Sequence, residues 1–375
     1  MPAAQTAAPS RRRRGALRRQ ILSSSLLESL TTPHGVDRYL EILKPSYSLS
    51  DGRAEVLDVE RRSVDTVTLT TRPNRRFAGF EAGQFVRVGV EINGVRETRC
   101  YSPASAAGRT DQVELTIKSH PGGKVSNYLR EHAQPGMFFE LSDADGDFHL
   151  PAERPERILL ISAGSGITPV LAILRTLLAE GHAGPIGFLH YTPGADHHPY
   201  REELERIARE NPNVALAVSY TREPADELGI EGHFSAAHLN ALAPEHGEYE
   251  TFACGPEPLL DAVRARWAGD GIEHRLHVES FTPPLLVAAP ASGGTVRFAD
   301  SGVEVSDDGN TLLEQAEAAG LNPEHGCRMG ICRSCTCKVR AGVVRNALTG
   351  DVLEITDGEI QLCISSPAGD VELEL

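Results

Sequence analysis

The chain has 375 residues, 40% of them apolar, and a formal net charge of −15. That length predicts two or three domains with cores of their own, the apolar share excludes a disordered chain, and the acidity excludes a general nucleic-acid binder. Seven cysteines, five of them within residues 327–363, exclude a disulfide framework and point to metal in a reducing compartment.

Residues 1–20 hold six arginines and no acid. The stretch lacks the long apolar run of a secretory signal, although its composition is that of a transit peptide. It reads as a solvated basic arm, or as one that meets anionic headgroups or a partner. Residues 21–50 space Leu26, Leu27 and Leu30, then Val36, Leu40 and Leu43, as two short amphipathic helices broken by Pro33 and Gly35. Residues 1–50 therefore form an extension, basic and then helical.

From Arg53 the period changes to two. "EVLDVERR", "VDTVTLTTR", "QFVRVGVEI", "VRETRCYS" and "QVELTIKS" alternate, with turn residues between them. Short strands in this number predict an antiparallel β-barrel over 51–153, interrupted by one helix at Val125–His132. After Pro155, strands and helices alternate: "RILLISAG", "TPVLAILRTLLAEG", "PIGFLHYT", "YREELERIARE", "NVALAVSY", "YETFACG" and "PEPLLDAVRARWAGDG". This predicts an α/β domain with a parallel sheet over 154–282. The run Ile158–Leu174 is uncharged, but Gly164, Gly166 and Pro169 break it, so it reads as strand–turn–helix and not as a membrane span. Residues 283–293 are a linker. Residues 294–375 form a small α+β unit: strands near 295–298 and 303–305, a helix over 311–319, the cysteine loop, then strands to the end. This last unit carries a net charge of −8.

The loop "CRMGICRSCTC" spaces its cysteines as Cys327-x4-Cys332-x2-Cys335. Zinc sites ordinarily show two C-x2-C pairs, whereas C-x4-C-x2-C…C is the plant-type [2Fe–2S] spacing. Gly326 and Gly330 let backbone amides turn toward the sulfides. The fourth ligand is Cys363, in "LCISSP", or Cys337. Cys337 begins a strand beyond Cys335 and reads as a packed core thiol, which leaves Cys363. Zinc, or no metal, are the competing readings. The segment "NPEHGCRMGICRSCTCKVRAGVV" with "LCISSP" resembles a plant-type ferredoxin domain, of β-grasp-like fold, and Arg328 and Gly330 fit its pattern.

Such a cluster takes one electron where NAD(P)H gives two, so a flavin is the expected converter. "RCYS" resembles the flavin motif of the ferredoxin–NADP reductase superfamily, although a strand tyrosine is ordinarily core. The resemblance implies that Arg99 holds a phosphate, Tyr101 packs on the isoalloxazine and Ser102 bonds near the flavin N5. It adds Lys118 and the turn Gly122, Gly123, Lys124, Val125 and Ser126, which opens a helix toward a pyrophosphate. FAD fits this spacing better than FMN. "SAGSGITP" resembles the nicotinamide loop, with Gly164, Gly166, Thr168 and Pro169. "ACGPEPLL" resembles the second signature, with Cys254 beside the nicotinamide C4 and Gly255 and Pro256 shaping the turn, although a buried structural thiol is the plainer reading of Cys254. Glu279 and Phe281, in "VESF", stand where the family places residues against the flavin. Ser102, Thr168 and Cys254 are the residues expected nearest the chemistry.

Ser219 and Arg222, with help from Tyr200 and Arg201, resemble a 2′-phosphate site and imply NADPH over NADH, although Asp196 is close. The whole resembles actinobacterial reductases paired with fatty acyl-CoA desaturases. It implies a cytoplasmic protein, peripheral at the inner face of the membrane, whose partner is a membrane desaturase or other terminal oxygenase. The rivals are the reductase of a ring- or steroid-hydroxylating oxygenase and, from another class, a redox-sensing binding module.

Overall fold

The computed structural model describes residues 52–224, 229–281, 291–330 and 333–375. The expected extension at 1–50, most of the linker, and Cys332 lie outside them.

The period-two segments become β1 (Arg53–Ser63), β2 (Thr66–Pro73), β3 (Val86–Ile92), β4 (Val95–Tyr101) and β5 (Val113–Lys118). Helix α1 (Lys124–His132) and β6 (Phe138–Leu141) follow. The sheet runs β4-β3-β6-β1-β2-β5, antiparallel throughout. Its two ends meet at the bridge between Pro103 and Leu115 and at the Ala104 N–H to Glu114 carbonyl bond of 2.8 Å, which closes the barrel. Alternate residues such as Val67, Leu69, Leu115 and Ile117 are fully buried inside it, and Val125 and Leu129 of α1 pack against the same core.

The second domain contains β7 (Ile158–Ala163), α2 (Ile167–Ala179), β8 (Ile186–Thr192), α3 (Arg201–Glu210), β9 (Val214–Tyr220), β10 (Gly229–Glu231), α4 (Ala236–Leu242), β11 (Glu250–Cys254), α5 (Glu257–Asp270) and β12 (Leu276–Glu279). The order is β10-β9-β8-β7-β11-β12, all parallel. Apolar clusters cover both faces, which is why β7 and β8 read as unbroken hydrophobic runs. The strand order reverses direction between β7 and β11. Ligands bind at such a switch point, outside the carboxyl ends of the strands.

The third domain has β13 (Thr295–Phe298), β14 (Val303–Ser306), α6 (Leu312–Ala318), β15 (Thr336–Asn346), β16 (Val352–Gln361) and β17 (Ser365–Leu373), in the order β14-β13-β17-β15-β16. Helix α6 begins at a capping box, in which Thr311 accepts from the Glu314 N–H and Glu314 accepts from the Thr311 N–H. It lays Leu312, Leu313 and Ala316 on the sheet.

Four elements were not expected from the sequence: β6, β10, α4 and β12. Each is seven residues or shorter, too short for a period to register.

At the switch point the loops after β7 and β11 touch backbone to backbone. A Cβ on Gly166 would collide with the carbonyl of Cys254. Backbone cannot yield as a side-chain tip can, so Gly166→Ala is expected to cost about 1–3 kcal/mol. Thermal unfolding of the purified variant checks this, and an unchanged Tm would contradict the contact.

Candidate functional site

The barrel and the nucleotide domain enclose a cavity beneath β4 and β5. Arg99, Tyr101 and Ser102 line one side; Gly122, Gly123, Lys124, Val125 and Ser126 line another. Ser102 is 2% exposed, and its hydroxyl has no hydrogen-bond partner among the described residues. A buried hydroxyl left unpaired costs free energy, so this one fits a ligand that supplies the missing bond. Gly123 caps α1 without a side-chain bond, and Gly122 has φ +78°, so the first-turn amides stay open for an anion. Two cations flank that turn. Lys124 Nζ lies 2.9 Å and Arg99 Nη1 3.5 Å from opposite oxygens of Glu97. Burial raises the Glu97 carboxyl, but Lys124, Arg99 and His325 of the third domain outweigh it, and the group stays below its ordinary range.

A larger cavity of about 670 Å³ lies over the switch point. Gly164, Ser165 and Gly166 form one lip; Gly255 and Pro256 form the other. Lys118, His120, Ser165 and Phe281 line both cavities, so the two share a wall. Thr168, whose hydroxyl donates to the Ser165 carbonyl at 3.2 Å, is on the smaller cavity.

The smaller cavity is closed on its third side by Cys327 and Met329 of the cysteine loop. Cys335 and Cys363 are 2% and 3% exposed. Cys363 is hydrogen-bonded to Cys335, and that bond, burial and the charges of Cys335 and Cys327 push its thiol far up. Sulfurs crowded in this way cannot all ionise without a cation to bind them, and iron would supply that charge to the thiolate donors. Backbone amides already face them: the Met329 N–H donates to Cys327 Sγ at 3.3 Å, and the Gly330 N–H donates to Cys363. Left-handed φ values at Arg328 (57°), Gly330 (78°) and Arg333 (55°) turn the loop inward. Arg328 anchors it to Glu317 of α6, and Gln361 Nε2 anchors it to the Gly330 carbonyl at 2.7 Å. Among the described residues no three such ligands close around one point, and Cys332 lies outside them. Cys337 is 7% exposed and donates its thiol to the Glu374 carbonyl at 3.3 Å.

Three family profiles match in sequence: an oxidoreductase FAD-binding domain over 53–150, an oxidoreductase NAD-binding domain over 160–265, and a 2Fe-2S iron-sulfur cluster binding domain over 296–368. The chain is 35% identical to an NADPH oxidoreductase of Mycobacterium tuberculosis, over 92% of this chain and 90% of that one. It is 31% identical to the glycine betaine monooxygenase reductase subunit of Pseudomonas aeruginosa (79% and 87% covered). It is 32% identical to the ferredoxin reductase component of a 3-ketosteroid-9-alpha-monooxygenase of M. tuberculosis (80% and 85% covered). The chain belongs to the ferredoxin-reductase family. Its fold is that of phthalate dioxygenase reductase, matched with TM-score 0.59 at 22% identity over 86% of this chain and 97% of that one.

This reductase is therefore an NAD(P)H-dependent electron-transfer oxidoreductase of oxygenase systems, with FAD and a [2Fe–2S] cluster as cofactors. When bound, the flavin converts between two-electron nicotinamide chemistry and one-electron iron–sulfur chemistry. No helix among the described residues is long and apolar enough to cross a membrane.

Several expected site residues stand elsewhere. Tyr200 is not at a phosphate site: it is 1% exposed, and its hydroxyl bonds Glu114 at 2.9 Å and Thr116, both of the barrel. Arg201 pairs with Glu205 one turn on, at 2.9 Å. Ser219 is fully buried and donates to the Gly232 carbonyl at 2.6 Å, and Arg222 is exposed outside the cavity lining. Thr221 and His233 stand on the cavity rim instead; a hydroxyl and an imidazole after strand ends were the available signal. Asp196 and Pro169 line neither cavity. Cys254 is fully buried and lines neither, with Sγ 4.0 Å from the Glu279 carboxylate. Burial and the Glu279 charge push its thiol well up. Glu279 itself faces the flavin cavity, and burial raises its carboxyl to about 8.

Two outcomes test this geometry. Cys337→Ser is expected to keep the visible spectrum of a two-iron cluster and Cys363→Ser to lose it; loss in the first variant would overturn the ligand choice. Glu279 holds its proton to about pH 8 when folded but only to about 4.5 when unfolded. The folded state then binds more protons between those values, so stability falls as pH rises across that window. Denaturant titrations from pH 5 to 8 should show a shallower fall in Glu279→Gln than in the wild type, and parallel curves would refute the raised carboxyl.

Proposed function

We propose that this reductase draws electrons from NADPH and delivers them singly, through FAD and a cluster on Cys327, Cys332, Cys335 and Cys363, to a membrane fatty acyl-CoA desaturase. The observation that carries the electron path is the continuous wall. Lys118, His120 and Phe281 belong to both cavities, and Cys327 and Met329 belong to the flavin cavity. In that arrangement Ser102 pairs with the flavin ring, Tyr101 packs on it, and Arg99, Lys118 and the α1 N-terminus balance the phosphates. Thr168 and Glu279 flank the ring on the nucleotide side, while Cys254 supports the wall from behind.

NADPH is supported by the relative at 35% identity, which is an NADPH oxidoreductase, and by the exposed Arg222, which directly follows Thr221 of the cavity rim. A 2′-phosphate needs such a cation, whereas a ribose 2′-hydroxyl needs an acid. The desaturase is supported by charge: six arginines in residues 1–20 suit an anionic membrane surface, and the third domain, at −8, suits a basic docking face. A second reading, a soluble steroid- or betaine-type oxygenase as acceptor, is favoured by the names of the relatives at 31–32% identity.

The test is kinetic. The value of kcat/KM should be at least tenfold higher for NADPH than for NADH, and Arg222→Ala should narrow that gap; a preference for NADH would overturn the nucleotide reading. Cytochrome c reduction should vanish in Cys363→Ser while ferricyanide reduction persists. Deleting residues 1–20 should weaken sedimentation with anionic vesicles and leave ferricyanide reduction unchanged. Equal sedimentation with and without the arm would favour the soluble acceptor.

A further inference from the structure

Arg175 lies on α2, about two turns beyond Thr168 and the glycine loop that lips the nucleotide cavity. Its guanidinium is buried between domains. Nη1 donates to the barrel carboxylate of Glu114 at 2.8 Å and to the barrel carbonyl of Ala104 at 2.6 Å. Nε and Nη2 donate to the two oxygens of Glu203 on α3, each at 2.7 Å. The three side chains are only 17%, 18% and 18% exposed. Glu114 also accepts from the Tyr200 hydroxyl, and that hydroxyl shares a short bond with Thr116, a residue of the flavin cavity wall. One hydrogen-bonded run thus joins the helix that carries the nicotinamide loop to the wall that faces the flavin.

A forked guanidinium between two carboxylates accepts few geometries. Buried ionic groups of this kind add little net stability over apolar packing; their attested use is to fix register. Register matters here because transfer between bound rings tolerates little misplacement, of the order of 1 Å. Apolar contacts across the same interface, such as Phe148 and Leu150 against the nucleotide-domain core, are non-directional, whereas the forked ion pairs are directional.

We propose that Arg175 is a positioning residue: it fixes the separation of the nucleotide and flavin cavities, and so sets the rate at which bound NADPH reduces the flavin, without holding either ligand. The proposal rests on the reductase reading above. The step it governs moves one hydride, a proton with two electrons, from nicotinamide to flavin and leaves NADP⁺; Arg175 neither gains nor loses anything.

The experiment is anaerobic stopped-flow bleaching of the flavin in the purified holoenzyme by NADPH. It compares the wild type with Arg175→Met, Arg175→Lys and Arg157→Met. Arg157 is the control, since it pairs with Glu245 and Glu248 inside the nucleotide domain at 2.8 and 3.0 Å. Arg175→Met should lower the limiting rate at least tenfold with the NADPH Kd within twofold. Arg175→Lys should recover part, because an ammonium can keep one carboxylate, and Arg157→Met should match the wild type. A second readout needs no turnover. Trp267, the single tryptophan, is buried in the nucleotide domain, so its emission follows that domain's unfolding while flavin fluorescence follows the barrel. The two transitions should coincide in the wild type and separate in Arg175→Met. Should the Met variant not fold, Arg175→Lys and Glu114→Gln carry the same comparison. An unchanged limiting rate, a loss accounted for by weaker NADPH binding, or an equal loss in Arg157→Met would each overturn the inference. Wild-type flavin that neither nucleotide bleaches would instead sink the reductase reading itself.

Discussion

The molecule depends on how two unlike domains are held at one fixed angle. A closed barrel has no edge to offer, so it cannot join the open parallel sheet of the nucleotide domain by strand pairing. The junction is made mainly by side chains. Ala82, Ala104, Phe148 and Leu150 of the barrel side enter the apolar cluster of α2, β7 and β8. Beside them sits the ionic run from Glu203 through Arg175 and Glu114 to Tyr200 and Thr116. A second tie lies nearer the cavities, where Asp65 of the β1–β2 turn meets Lys118 at 3.3 Å and His197 of the nucleotide domain at 3.2 Å. Burial raises the Asp65 carboxyl, but Lys118 and the neighbouring hydroxyls of Ser63 and Thr66 more than offset it, so the acid stays charged and the tie stays made. With that angle fixed, the glycine loop after β7 faces the turn after β5, and Lys118, His120 and Phe281 come to serve two cavities at once.

Much of this was legible in the sequence where the cause is local. Period-two and strand–helix alternation marked the long elements, and glycine turns marked the anion sites. Cysteine spacing marked the metal loop because a cluster constrains residues only a few positions apart. What stayed hidden is what depends on partners far along the chain. Tyr200 follows a strand end and precedes an arginine, so it looked like a phosphate ligand. Its hydroxyl instead meets Thr116, 84 positions away, and no local pattern encodes that. Ser219 looked free for the same reason, yet the carbonyl it bonds, Gly232, arrives 13 positions later through a connection of no periodicity. Arg175 lies within the helical run "TPVLAILRTLLAEG", where amphipathic pattern cannot separate a solvent-facing charge from one buried against another domain.

The two interfaces of the barrel differ in kind. Toward the nucleotide domain the contact is apolar and ionic, with buried partners at every polar atom of Arg175. Toward the ferredoxin-like domain it encloses a polar cavity of about 290 Å³, with Arg76, Arg87, Arg96, Glu140 and Asp143 on the barrel side and Glu324 and Ser334 opposite. Contacts between domains that are rich in polar and charged groups resemble transient protein–protein interfaces. Cys327 lies on the wall of the flavin cavity, whereas Cys335 and Cys363 are all but buried on their own domain. The buried ionic contacts thus lie at the junction of barrel and nucleotide domain, and the polar cavity lies where the barrel meets the third domain.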